Sequence, residues 1–174
     1  MRRIVSRAAV MAISGLVLGW FGAMPSAMAD DRMFYDRDGG AATAVQKTIV
    51  FNRAHMLWVD VDHNSRLYED DFWIDTRPRD PGPEYRLYMY ANSDVFGIQQ
   101  TDTFEGPGWH WSCRNVVMHS DNFADGAWSW IGIPQRCLKG PGSVRVHVRS
   151  VGRGGAKDDA PNHEFGFTPW VTLG

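Results

Sequence analysis

The 174-residue chain is aromatic and slightly acidic, with 18 Lys and Arg, 20 Asp and Glu and eight tryptophans. Three of the basic residues and none of the acids lie in the first 29 residues, so the remainder carries 15 basic and 20 acidic residues, a net charge of −5. This balance, without any basic cluster, argues against nucleic acid or an anionic membrane as a partner.

The first 29 residues have the pattern of a cleaved signal peptide. Arg2, Arg3 and Arg7 precede an apolar stretch over residues 8–24, and Ala-Met-Ala at residues 27–29 provides the small residues of a cleavage site. No later apolar run approaches the roughly 20 residues that a membrane-spanning helix requires. The sequence therefore predicts a secreted, extracellular protein with no membrane span after cleavage.

The rest of the chain predicts a flexible N-terminal arm over residues 30–44 and one domain over residues 45–174. Strand-like runs with alternating apolar residues are separated by Gly- and Pro-rich joins, and no stretch predicts an amphipathic helix. The predicted strands cover residues 45–52, 55–62, 72–75, 85–90, 95–100, 111–119, 128–133, 143–151 and 165–173. This spacing is typical of an all-β fold, a single antiparallel sandwich of two sheets that is immunoglobulin-like or jelly-roll-like.

The alternation also assigns side chains to faces. In residues 143–151, Val144, Val146 and Val148 are predicted to face inward and the residues between them outward, so that His147 is predicted to be solvated. Trp58 and Trp73 are predicted to lie in the core, and residues 152–162 are predicted to form a mobile loop.

Cys113 and Cys137 are the only cysteines, and in an exported protein they predict one disulfide. An Asp-Gly turn between two predicted strands brings the two cysteines nearly opposite each other, at the open end of a hairpin. Closing a loop of this length contributes roughly 3 kcal/mol to stability. The alternative is a zinc site, but His110 and His119 do not have the ligand spacing of a zinc ribbon or finger.

One segment, DVDHNSRLYEDD at residues 60–71, matches part of the calcium-loop pattern of EF-hands. Asp60, Asp62 and Asn64 occupy loop positions 1, 3 and 5, and Asp71 occupies position 12. However, a serine replaces the turn glycine, and strands rather than helices flank the segment. Two interpretations stay open: a polar connection between strands, or a loop site that binds calcium through some of Asp62, Asn64, Asp70 and Asp71. No other cofactor is predicted.

Seven of the eight tryptophans follow the signal peptide. Trp109 and Trp111 are two residues apart, as are Trp128 and Trp130, so each pair shares one face of a strand. If the two strands form the hairpin, the four rings make one aromatic surface, and flat apolar rings of this kind can stack on sugars. The alternative is that these rings fill the core of a small sandwich.

Three segments, MLWVDVDHN at residues 56–64, DDFWIDT at 70–76 and PEYRLYMYAN at 83–92, resemble the strand pattern of DOMON-like sandwiches, which include the family-9 carbohydrate-binding modules. This resemblance implies a sandwich of a class that contains sugar-binding and haem-binding modules. It also places Asp71 and Asp75 where the family-9 modules have structural or calcium-associated acids.

A closer resemblance covers most of residues 45–173. WIDT followed by GPEY, the Trp-Ser-Cys at residues 111–113 and IPQRCLKGP at residues 133–141 are similar to a group of uncharacterised secreted actinobacterial β-sandwich proteins. This resemblance implies the fold and the export of the protein rather than a reaction.

The sequence contains neither G-x-S-x-G nor H-E-x-x-H, and disulfide formation would leave no cysteine as a nucleophile. A hydrolase site could be assembled only from pairs such as His163 with Glu164, or Asp75 with a second carboxylate. The sequence therefore predicts a secreted, non-catalytic binding protein whose first candidate ligand is an extracellular glycan or cell-envelope polymer. The alternatives are a structural or protein-interaction module of the cell surface and a small extracellular hydrolase.

Overall fold

The computed structural model describes residues 31–36, 45–80, 82–161 and 166–174 as two antiparallel β-sheets packed together. The predicted signal peptide and residues 30 and 37–44 of the predicted arm lie outside the described residues. Within those four ranges the only helix is one 3-10 turn, Gln135–Leu138, and no helix has the length and apolarity needed to cross a membrane. The predicted all-β sandwich is confirmed.

The strands lie in two sheets. In chain order they are β1 Asp31–Tyr35, β2 Val45–Asn52, β3 Met56–His63, β4 Leu67–Asp75, β5 Tyr85–Tyr90, β6 Phe96–Gln100, β7 Trp109–His110, β8 Val117–Asn122, β9 Ala127–Pro134, β10 Ser143–Gly152, β11 Lys157–Ala160 and β12 Val171–Thr172. Sheet A has the order β1-β2-β3-β9-β8, and sheet B has the order β11-β10-β4-β5-β6-β7, with β12 paired to β10. The chain therefore crosses between the sheets after β3, β7 and β9.

The core lies between the sheets and is built from every second side chain along each strand, the one that faces inward. Leu57, Val59 and Ile131 of sheet A face Phe72 and Leu87 of sheet B, and all of these side chains are fully buried. The predicted disulfide between the two cysteines is present and packs against this core. It joins the segment before β8 to the 3-10 turn after β9, which is the open end of the hairpin.

Two segments that were predicted to be irregular form edge strands. Asp31–Tyr35, in the predicted arm, pairs with β2 along its whole length. Lys157–Ala160, in the predicted mobile loop, pairs with β10, where Asp159 accepts hydrogen bonds from Arg149. In addition, β4 begins at Leu67 rather than at residue 72, because its acidic first half pairs with both β5 and β10.

The predicted strand over residues 111–119 is wrong. Trp109–His110 pairs with β6 in sheet B, whereas Val117–Asn122 pairs with β9 in sheet A. Between them the backbone turns at Asn115, whose φ of 65° lies in the left-handed region that strands do not use. The chain changes sheets at this turn, and only residues 117–119 of the predicted strand lie in a strand.

Loop residues cover part of the outer face of sheet B. Trp73 is buried, as predicted, but it lies on this outer face, with its ring centroid 5.6 Å from that of Phe104 and 5.3 Å from that of His147. The prediction that His147 is solvated is wrong: its side chain is fully buried, with Nδ1 2.6 Å from the carbonyl oxygen of Gly166 and Nε2 2.9 Å from Asp159 Oδ1. The outward position is buried because loop aromatic rings pack over it.

Candidate ligand-binding face

The outer face of sheet A is a regular grid of side chains, because β2, β3, β9 and β8 are antiparallel neighbours with outward residues in register. The three rows are Phe51, Trp58, Gly132 and Val117; Ile49, Asp60, Trp130 and His119; and Lys47, Asp62, Trp128 and Asp121. We use the term aromatic face for five of these residues, Phe51, Trp58, Asp60, Trp128 and Trp130, which line one depression of about 450 Å³.

The indole rings of the aromatic face are tilted with respect to one another. The ring centroids of Trp58 and Trp130 are 5.4 Å apart at an interplanar angle of 54°, and those of Trp128 and Trp130 are 6.2 Å apart at 48°. All three side chains are half-buried, so neighbours hold each ring while part of it contacts solvent. The surface is therefore a shallow aromatic depression rather than a flat platform.

Gly132 leaves room for the Trp58 ring on the aromatic face. A Cβ atom added at Gly132 would lie 2.5 Å from Cζ3 of Trp58 and 2.8 Å from Cγ2 of Val117. Real Cβ atoms do not approach other heavy atoms so closely, so the indole can lie over β9 only because this position has no side chain. The glycine thus allows the close approach of Trp58 to Trp130.

His119 extends the aromatic face towards the edge strand β8. Its ring centroid lies 5.8 Å from that of Trp128 and 6.0 Å from that of Trp130. Its Nε2 atom is 2.9 Å from Oδ2 of Asp121, and both side chains are about half exposed. This pair supplies polar groups at the rim of an otherwise apolar surface.

Asp60 brings a carboxylate into the aromatic face, directly opposite Trp130 and two residues from Trp58 on the same strand. Burial raises the pKa of Asp60, and the neighbouring carboxylate of Asp62 raises it further, while Lys47 lowers it. The Lys47 ammonium forms its ion pair with Asp62 instead. Within the described part of the chain, the side chain of Asp60 has no hydrogen bond or ion pair.

Only half of the predicted four-ring surface exists. Trp128 and Trp130 share one outer face, but Trp111 is buried in the core, with its ring centroid 4.5 Å from that of Tyr85. Trp109 is exposed on sheet B, where it lines a separate polar pocket of about 260 Å³. The prediction that these four rings form one surface is therefore wrong, because the chain changes sheets between β7 and β8.

The prediction that Trp58 lies in the core is also wrong. Its ring lies beside Trp130 on the outer face of sheet A, where Trp109 and Trp111 are absent. A signal for it was present in the sequence, because Leu57, Val59 and Val61 fill the inward positions of β3 and leave Trp58 and Asp60 outside. The same alternation leaves Trp128 and Trp130 outside on β9.

The four residues considered for calcium lie in four separate environments. Asp62 pairs with Lys47 outside sheet A, and Asn64 is exposed in the turn after β3. Asp70 and Asp71 are consecutive on β4 and point to opposite faces of sheet B. They do not form one site, and nowhere in residues 31–36, 45–80, 82–161 or 166–174 do three or more His, Cys, Asp or Glu side chains gather as metal ligands would.

The two acids placed by the family-9 resemblance have cationic partners instead. Asp71 Oδ1 lies 2.9 Å from Nε of Arg86, and Asp75 Oδ2 lies 2.7 Å from Nε of Arg145. Burial raises the pKa of Asp71, while its hydrogen bond and ion pair with Arg86 lower it. Both acids are thus part of a paired set on the outer face of sheet B. The pair His163 and Glu164 lies outside the described residues.

A buried polar cluster between the sheets was not foreseen from the sequence. It consists of His63, Asp70, Ser129 and Ser150, and each of these four residues is at most 5% exposed. Both serine hydroxyls donate to Asp70, while His63 Nε2 lies 3.2 Å from its Oδ2 atom. The sequence does contain a signal for this cluster, because its four polar residues occupy inward positions of strands that are otherwise apolar.

The residue types of the buried polar cluster are those of a serine hydrolase, but the arrangement is not. A nucleophilic serine donates to the imidazole and faces a substrate. Here the carboxylate of Asp70 accepts hydrogen bonds from both hydroxyls, and β-strands enclose the group on both sides. The cluster therefore links β3 and β9 of sheet A to β4 and β10 of sheet B as a structural element.

Comparison of the chain with protein-family models, curated proteins and solved structures finds no match.

Proposed function

We propose that the protein is a secreted, non-catalytic glycan-binding module that holds an extracellular or cell-envelope polysaccharide on its aromatic face. The observation that carries this proposal is the group of three half-exposed indole rings, Trp58, Trp128 and Trp130, around one depression. The C–H faces of sugar rings are apolar and pack on indole rings, while sugar hydroxyls need polar partners at the rim. Asp60 and His119 provide such partners.

The size and shape of the depression also support a polymer ligand. Its volume of about 450 Å³ is in the range of small-ligand sites. It is shallow and open to solvent, so a sugar unit can contact the indole rings while the rest of its chain continues across the sheet. The predicted export signal and the resemblance to family-9 carbohydrate-binding modules favour the same class of ligand.

A protein-interaction module is the second candidate, and one observation favours it. Apolar side chains at the ends of the same grid are exposed, namely Met33 and Tyr35 on β1 and Val117 on β8. An apolar face of this extent can also be a protein interface. The two candidates differ in what binds and can be separated by direct measurement.

The test is binding of the mature protein to soluble plant, fungal and bacterial polysaccharides by affinity electrophoresis, followed by calorimetry with oligomers of whichever polysaccharide binds. We expect Trp58→Ala and Trp130→Ala each to weaken binding by about tenfold or more, as loss of an aromatic stacking partner does for other flat ligands. The matched control is Trp109→Ala, which removes an exposed tryptophan from sheet B and is expected to leave binding unchanged.

Thermal melts establish that each variant is folded before its binding is interpreted. If Trp109→Ala weakens binding and the two aromatic-face variants do not, the face is misassigned. If the wild-type protein binds no polysaccharide, the glycan proposal fails.

A further inference from the structure

We infer that the glycan bound by the aromatic face carries a cationic amino group, and that Asp60 binds this group beside the stacked sugar ring. This inference rests on the proposed function and narrows its ligand to polymers of amino sugars with free amines. Three observations carry it: the lack of a partner for Asp60, the aromatic rings around it and the charges of the surrounding grid.

Asp60 differs from most of the other acids on the outer faces of the two sheets, although Glu69 on β4 is also half-buried and also lacks an ion pair in the described part of the chain. Four of those acids have a cationic partner: Asp62 with Lys47, Asp71 with Arg86, Asp75 with Arg145 and Asp159 with Arg149. Asp60 has no such partner in the described part of the chain, although its side chain is also half-buried. A half-buried carboxylate without an ion pair loses hydration, and within the folded chain Asp60 gains only the weaker attraction of the nearby Lys47 in return. A cation from a ligand would supply the missing interaction.

The surroundings of Asp60 suit a cation better than a neutral or anionic group. Trp58, Trp128 and Trp130 present indole rings, whose faces attract ammonium groups. No Lys or Arg lines the depression, so a bound ammonium meets no like charge within it. A carboxylate or sulfate on the glycan would instead meet the negative charge of Asp60.

A sugar ring with a free amine can contact the indole rings and the Asp60 carboxylate of the aromatic face at the same time. The C–H face of the ring packs on an indole, while the ammonium group at its edge donates hydrogen bonds to the carboxylate. Acetylation of the amine removes its charge and two of its N–H donors. The aromatic face should therefore distinguish glucosamine polymers from N-acetylglucosamine polymers of the same linkage.

The experiment is isothermal titration calorimetry with three oligomers of equal length: β-1,4-glucosamine, β-1,4-N-acetylglucosamine and β-1,4-glucose. We expect the wild-type protein to bind the glucosamine oligomer tightest, with an affinity that falls as salt is added. Asp60→Asn should lower that affinity by about tenfold or more, as loss of a charge-assisted hydrogen bond does. It should leave weak binding of the two neutral oligomers unchanged.

The matched control is Asp31→Asn, which removes the same charge from the edge strand of the same sheet. The affinity of this variant for the glucosamine oligomer is expected to stay within about twofold of that of the wild type, because the ion pair that it removes, Asp31 with Arg53, is exposed, and such pairs contribute little. Asn is nearly the same size as Asp, so both variants should fold, and thermal melts check that they do.

The outcomes separate the inference from the proposal on which it rests. If Trp58→Ala abolishes binding of the glucosamine oligomer while Asp60→Asn leaves it unchanged, the aromatic face binds glycans but the role of Asp60 is wrong. Equal affinity for the neutral oligomers also overturns the inference. If the wild type binds none of the oligomers, the inference fails; the glycan proposal fails as well only if the polysaccharide screen also finds no binding. In that case, sedimentation showing a dimer that Trp130→Ala dissociates would assign the face to contact between two copies of the chain.

Discussion

Replacing Asp70 by alanine removes the acceptor on which the buried polar cluster depends. Asp70 is fully buried and accepts hydrogen bonds from Ser129 on sheet A and Ser150 on sheet B. His63 Nε2 lies 3.2 Å from the same carboxylate. The variant therefore leaves three polar side chains in the interior without their common partner, and no solvent reaches them.

The expected cost follows from these contacts. A buried hydroxyl that loses its acceptor costs about 1–3 kcal/mol, and here two hydroxyls and an imidazole are affected. The remaining groups can partly satisfy one another, because His63 Nε2 lies 3.3 Å from Ser129 Oγ and its Nδ1 lies 3.4 Å from Ser150 Oγ. We therefore expect Asp70→Ala to lower the free energy of unfolding by about 3–4 kcal/mol, less than the sum of the separate losses.

Urea unfolding followed by tryptophan fluorescence measures this change. With a slope of about 2 kcal/mol per molar urea for a domain of this size, the midpoint should fall by roughly 1.5–2 M. The control is Asp62→Ala, which removes a solvent-accessible ion pair with Lys47 and should cost no more than about 1 kcal/mol. A loss for Asp70→Ala that does not exceed the loss for the control would refute the assignment of the cluster as a structural link.

Two further predictions concern the aromatic face and the outer face of sheet B. Gly132→Ala should weaken glycan binding severalfold in the calorimetric assay, because the new Cβ, 2.5 Å from Trp58 Cζ3, displaces the indole; unchanged affinity would contradict the role of the glycine. Burial raises the pKa of Asp159, but its hydrogen bonds with His147 and Arg149 outweigh this, and the pKa lies below the usual 3.8. Asp159 thus stabilises the fold above that pH, so Asp159→Asn should cost about 2 kcal/mol at neutral pH. The difference should shrink as the pH falls through the lowered pKa, and a pH-independent difference in unfolding free energy would count against it.

The sequence predicts correctly which side chains of β3 face the core and which face outward. It does not predict that loop residues cover the outer face of sheet B. Alternation assigns Leu57 and Val59 to the core and Asp60 to the outside, as observed. It also puts His147 outside its strand, yet that side chain is buried under the rings of Phe104 and Phe167. Those rings come from irregular segments, whose positions depend on tertiary packing and leave no period in the sequence.

The error over Trp109 and Trp111 has a different physical origin. A pair two residues apart shares a face only while the strand continues, and here β7 ends at His110. Trp111 then turns into the core against Tyr85, and the turn at Asn115 carries the chain to the other sheet. The disulfide was nevertheless predicted correctly, because it depends on the ends of the hairpin and not on the strand between them.

Asp60 shares with Glu69 and Asp71 a pKa that burial raises. Its pKa is raised above 3.8 by burial and by the neighbouring Asp62, so the carboxylate is less stable in the folded chain than in the unfolded chain at neutral pH. This residue therefore lowers stability as the pH rises through its pKa, whereas the paired Asp159 increases it. Asparagine of nearly equal size would avoid the cost. Under the role in binding proposed for Asp60, Asp60→Asn should raise stability while it weakens binding of the amino-sugar oligomer.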